Sequence, residues 1–266
     1  MYNLVMLFVV VVAAMLGLIF GSAINAMVWR LYVGRSWVKG RSICPECEHV
    51  LSAVDLVPVV SWLMLRGRCR YCRAPIKDHP IVEIVTGLAF ALSAYALYFN
   101  GTFDAVKLVF WMAMLVLLLV LAVYDARWFI LPDKIMLPLI VVAFGYAAST
   151  AVVTHSAHAL VDYLVAAVVA GGAFYAIVFF SRGRAMGGGD IKLAFCMGLI
   201  LGLQGTLVAL FLAFNAAAVI GLALIASGKR GRKDQIPFGP FLVGATVVAF
   251  LYSSQIVDWY LRISGA

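Results

Sequence analysis

Apolar residues fill most of this chain in long, nearly unbroken blocks, with neither the alternation of a half-buried strand nor the polar stripe of a surface helix. A hydrocarbon layer of about 30 Å takes roughly 20 apolar residues of helix, so each block predicts a membrane crossing. The blocks fall near 3–29, 81–99, 106–125, 134–153, 160–181, 191–203, 205–226 and 239–258. The sixth is short and depends on a turn at Gly202–Gly205; without that turn the count drops to seven. The expectation is an all-α polytopic membrane protein with about eight transmembrane helices.

Composition agrees with the pattern. Of 266 residues, 65% are hydrophobic and only 12% charged, against about 25% charged in ordinary soluble domains. The first block carries no Lys or Arg before Arg30. A signal peptide opens with a basic region, so this block reads as an uncleaved helix with its N-terminus outside. On that topology the stretches 30–80, 126–134, 182–192 and 227–238 face the cytoplasm and hold 18 of the 20 Lys and Arg residues. Only Lys107 and Arg262 fall elsewhere. The net charge of +8 is therefore positive-inside bias beside anionic lipid, and no nucleic-acid partner is expected.

The segment between the first two blocks, residues 30–80, is long enough for a small subdomain. It contains Cys44-Pro-Glu-Cys47 and Cys69-Arg-Tyr-Cys72, with 21 residues between the pairs. Two such pairs read as a four-thiolate zinc site, since each pair grips one face of a tetrahedral ion. Two disulfides are the alternative, which a reducing cytoplasmic location disfavours. With four thiolates the site is closed and structural, leaving His49 and His79 as ordinary loop residues. Cys196 reads as an apolar packing residue.

The 12 acidic residues can be weighed singly. Most have a plain role in loops or at helix starts, Asp133 after Pro132 being a helix cap. Asp125 and Asp190 are different: one ends an apolar helix, the other begins a later one, both on the cytoplasmic side. Ionisable groups within a span cost about 2.5–3.5 kcal/mol on insertion scales and are functional suspects by default. If the two helices pack together, the carboxyls share a proton, because like charges a few ångströms apart resist joint ionisation. The charged one can then activate a water while the neutral one donates to a carbonyl oxygen. Gly187, Gly188 and Gly189, just before Asp190, would supply unusual backbone angles and leave room for an extended peptide.

These residues resemble the type IV prepilin peptidase family, part of the wider group of GxGD-type intramembrane aspartic peptidases. The "GGGD" at 187–190 matches the hallmark motif, and "FGSAINAMVWRL" (20–31) resembles the family's opening segment. "CPEC", "DLVPVVSWLMLRGRCRYC" (55–72), "HPIVEIVTG" (79–87), "DARWFILPD" (125–133) and "IPFGPFL" (236–242) follow in family order. The resemblance implies a leader peptidase of the bacterial cytoplasmic (inner) membrane, with Asp125 and Asp190 catalytic near the cytoplasmic face. Its substrates would be prepilins of type IV pili and pseudopilins of type II secretion, cut after glycine. It also implies N-methylation of the new terminus by S-adenosylmethionine, associated with the large loop. Gly67 and Arg68 are candidates for that second activity. Glu83 is either a contact for it or an interfacial partner for a basic loop residue.

The expected organisation is a first helix (1–29), a zinc-binding loop region (30–80) and a helical peptidase domain (81–266). Two readings compete: a proton-coupled transporter, which would place carboxylates near the bilayer midplane, and a membrane scaffold recruiting partners through its zinc loop.

Overall fold

A computed structural model describes residues 2–76, 78–184, 186–229, 231 and 234–264. Lys77, Arg230, Arg232 and Lys233, four of the basic residues expected in cytoplasmic loops, lie outside the described residues. The regular elements are helices: α1 (Tyr2–Tyr32), a 3₁₀ turn (Ala53–Leu56), α2 (Val60–Met64), α3 (Ile81–Phe99), α4 (Ala105–Trp128), α5 (Asp133–Val153), α6 (Ala157–Phe180), α7 (Gly188–Ala226) and α8 (Gly239–Ser264). Seven of them are long and apolar enough to cross a membrane. Large apolar side chains such as Leu4, Phe8, Phe180 and Phe211 point outward, as lipid-facing residues do. The all-α, multi-pass expectation holds.

The chain divides into two units, Met1–Met112 and Ala113–Ala266, the boundary falling inside α4. In the first, α1 packs on α3 at glycines. A Cβ on Gly17 would stand 2.7 Å from the Thr86 carbonyl oxygen, and one on Gly21 would stand 2.5 Å from the Glu83 Cα. With no hydrophobic drive between helices in lipid, such close backbone approach is what holds them.

In the second unit, α5, α6 and α8 pack against α7, and α7 decides the number of crossings. Straight, its 39 residues would extend about 58 Å, nearly twice the hydrocarbon thickness. It is broken at Gly202, whose φ of 67° and ψ of −177° are not helical. Thr206 Oγ1 lies 3.5 Å from the carbonyl oxygen of Met197, residues that an unbroken helix would hold about 13 Å apart. The chain therefore turns back, close to the turn expected at Gly202–Gly205. Asp162 of α6 stabilises the break: its carboxylate accepts the Leu203 N–H at 3.1 Å and occupies the space a Gly202 side chain would need. The eight-segment reading and the seven helical runs are reconciled at this residue.

The first half of α7 packs tightly on α6, where a Cβ on Gly198 would overlap the backbone of Ala166 and Ala167. Backbone cannot rotate aside as a side chain does. Gly198→Val is expected to destabilise the protein by about 1–3 kcal/mol or more, read as a lowered melting temperature in detergent. The same change at Gly172, which has open space around its Cβ position, should be nearly neutral.

Candidate active site

Asp125 lies in the last turn of α4 and is buried at 6% exposure. Its Oδ2 accepts the backbone N–H of Gly239 at 2.9 Å. Gly239 is the first residue of α8 and is followed by Pro240, a residue suited to the first turn of a helix. The positive end of α8 thus faces the carboxylate and offsets part of its burial. Phe238 sets this helix entry in place by packing against Phe174 of α6 and Phe214 of α7, with ring centroids 6.4 Å and 5.1 Å away.

Asp190 sits in the first turn of α7 and is half-buried. Its Oδ2 accepts the Gly187 N–H at 3.2 Å, so the carboxylate also caps its own helix. Asp190 lies within electrostatic range of Asp125. The ends of α4, α5, α7 and α8 meet here: Lys192 pairs with Asp133 at 2.6 Å, and Leu131 packs against Gly189. Asp133 is the first residue of α5, with Pro132 in the cap position, and its carboxylate serves the Lys192 pair. Because α7 starts at this end and α8 starts beside Asp125, residues 188–226 must leave and return.

The glycines differ from one another. None of the three has a positive φ, so the unusual backbone angles expected of them are not used. Gly189 is needed because a Cβ there would approach Leu131 Cβ to 2.9 Å. Gly188 has nothing within 4 Å of its Cβ position, and Gly187 meets only Asp190 Oδ2 at 3.7 Å, leaving open space before Asp190. Cys196 is buried with its thiol 3.6 Å from Met136 Sδ, a packing residue as expected.

Gly239 was not singled out by sequence reasoning, yet it is the residue that touches Asp125. A Cβ there would come within 2.7 Å of Oδ2 and 3.0 Å of Cγ. Gly239→Ala is expected to push the Asp125 carboxyl aside without unfolding the bundle. Misplacing a reacting group by about 1 Å can cost on the order of 10²-fold in rate. A kinetic assay of the purified variant checks this, with circular dichroism confirming the helices.

The first unit holds the four-cysteine cluster. The Sγ atoms of Cys44, Cys47, Cys69 and Cys72 all lie within 4.8 Å of one another, and none is in a disulfide. Cys44 and Cys72 Sγ are 3.9 Å apart, against about 3.8 Å across a tetrahedral site with 2.3 Å Zn–S bonds. The two pairs are built alike. Cys44 N–H donates to the His49 carbonyl and Cys69 N–H to that of Ala74, while the residues after each second cysteine, Glu48 and Arg73, both have positive φ. Isolated bridges Ile43↔Val50 and Arg68↔Pro75 complete the repeat. Between residues 42 and 76 only Cys44 and Cys69 are buried, so a bound ion would be the core of this loop.

Asp55 ties the loop together, accepting bonds from Ser52, Tyr71 and Arg70, the last at 2.6 Å. Burial raises its carboxyl, but these donors outweigh that and hold it at about 2. Gly67 has φ +67° with the Trp62 ring 3.0 Å from its Cβ position. Glu83 accepts the Val59 N–H. Arg68 is exposed.

The chain matches the Bacterial Peptidase A24 N-terminal domain over residues 15–97 and the Type IV leader peptidase family over residues 112–222. A prepilin leader peptidase/N-methyltransferase of Aeromonas hydrophila is 33% identical over 222 residues, covering 83% of this chain and 74% of that protein. This chain belongs to the type IV leader peptidase family. A family member of the same description from Stutzerimonas stutzeri is 31% identical, covering 96% of this chain and 94% of its own. Another, from Bacillus subtilis (strain 168), is 28% identical over 93% and 96% of the two chains. No solved structure matches. Like other members of the type IV leader peptidase family, the chain is an enzyme of the peptidase class, and its helices fit a multi-pass inner-membrane protein.

Proposed function

We propose that this leader peptidase removes the basic leader of prepilins and pseudopilins with Asp125 and Asp190 as an aspartic pair. One observation carries the reading: α4 and α7, far apart in sequence, bring two carboxyls into electrostatic range beside backbone free of side chains at Gly187 and Gly188. The charged carboxyl takes a proton from a water held between the pair. The neutral one protonates the oxygen of the scissile carbonyl as the water attacks. The proton then passes to the departing nitrogen, and the C–N bond breaks. The pair titrates as a unit, so neither Asp owns a separate proton affinity. Positive-inside charge supports placing this end at the cytoplasmic face, with the N-terminus outside.

The four thiols fit a zinc ion in number, spacing and donor type, and we assign it a structural role: bound there, it replaces an apolar core for the loop. The relatives are described as N-methyltransferases too, which supports a second activity, here assigned to the new terminus with S-adenosylmethionine as donor. Gly67 is covered by Trp62 and Glu83 is engaged by Val59. Arg68 is exposed; the three stay candidate contacts for the donor, and no methyl-transfer step is assigned to them. A transporter draws no support from the site, because both carboxyls stand at helix ends. Mass spectrometry of a prepilin peptide incubated with purified enzyme tests both activities. The expected products are a cut after glycine and, only with S-adenosylmethionine, a methylated terminus; an intact peptide overturns the reading.

A further inference from the structure

Within the basic loop, residues 54–65 read "VDLVPVVSWLML", an apolar run in otherwise polar surroundings. Apolar runs of about 10–14 residues are too short to cross a bilayer and suit buried or interfacial segments. This one is not buried. Val57, Val60, Leu63 and Met64 are 43%, 49%, 60% and 75% exposed, and they form a ridge along the turn before α2 and α2 itself. Leaving such side chains in water forgoes about 25 cal/mol per Å² of apolar area. Arg66 and Arg68 follow directly, both exposed.

The height of the ridge is fixed by one carboxylate. Glu83 is the third residue of α3, a membrane-length helix, and its Cα packs against Gly21 of α1. The same carboxylate accepts the N–H of Val59, in the middle of the ridge. Val59 is held there at φ 61° and ψ −50°, a conformation that β-branched residues rarely adopt. The apolar ridge is thus tied to the level at which α3 begins its crossing, with cations beside it.

We propose that Val57, Val60, Leu63 and Met64, flanked by Arg66 and Arg68, form an interfacial anchor that dips into the leaflet of anionic lipid. Apolar side chains enter the boundary between headgroups and acyl chains while the guanidinium groups meet phosphate. The two cysteine knuckles then ride on the bilayer. The proposal rests on the membrane fold alone, so it stands or falls separately from the peptidase reading.

The native methionine provides the probe. In metal-loaded, full-length protein in nanodiscs containing anionic lipid, the methyl resonance of Met64 is assigned through Met64→Leu. A nitroxide carried on lipid should broaden it several-fold more than a water-soluble gadolinium chelate. The opposite ranking overturns the proposal. So does protection from the chelate that arises only when a prepilin peptide is added, since the ridge would then be a substrate surface. Arg66→Gln with Arg68→Gln, or purely zwitterionic lipid, should reduce the contrast; an unchanged contrast in both refutes the role given to anionic lipid.

Discussion

Asp125→Asn and Asp190→Asn are each expected to abolish leader removal while leaving an inserted, helical protein. Each substitution removes the carboxylate's proton chemistry and preserves its shape. Positioned acid–base groups contribute about 10²–10⁴-fold, and a pair acting as one unit loses nearly everything with either member. The fold should survive because the amide oxygen at 125 can still accept the Gly239 N–H seen at 2.9 Å, and that at 190 can still cap α7. Asn at 190 also leaves Asp125 without a second acid competing for the shared proton, so stability should hold or rise. The double variant should be no worse than either single one. Retained cleavage in one single variant would mean that the other Asp acts alone, which contradicts the shared-water mechanism.

Replacing Cys44 and Cys47 with Ser will remove the metal and unfold the loop. Residues 42–76 bury only Cys44 and Cys69, so no hydrophobic core remains once the ion leaves. Metal binding in small zinc modules contributes about 10–16 kcal/mol that the apo chain cannot replace. Metal analysis should show zinc in the parent protein and none in the variant, and limited proteolysis should cut the variant near Arg66–Arg73. Zinc that persists after all four cysteines are changed would refute the assignment. Methylation should fall further than cleavage, because the aspartates belong to helices of the second unit. Equal loss of both activities would contradict a loop-specific role.

How much of this was legible in the sequence depends on the range of the interaction. Apolar blocks and the paired Cys-x-x-Cys motifs are local patterns, and both survived into the structure. So did the turn at Gly202, which glycine's freedom at positive φ explains. The Asp125–Gly239 bond joins residues 114 apart, and no local pattern marks it; the Gly-Pro pair shows a helix start but not what it faces. No local pattern marks the role of Asp162, because its partner, Leu203, lies on the next helix. Of the two roles read for the glycines before Asp190, the unusual backbone angles are not used: steric contact with Leu131, not φ, constrains Gly189, while Gly187 and Gly188 leave open space. The apolar run in the cysteine loop is too short to stand out as a membrane block, and the residues around it are polar and basic.

The pH dependence of kcat/KM for cleavage of a prepilin peptide tests the central claim most directly. A shared-proton pair works only when one carboxyl is charged and the other neutral, so the profile should be bell-shaped, and Asn at either position should leave no active limb. A rate that climbs with pH and reaches a plateau, with no descending limb, would show a lone base at work and contradict the pairing of Asp125 with Asp190.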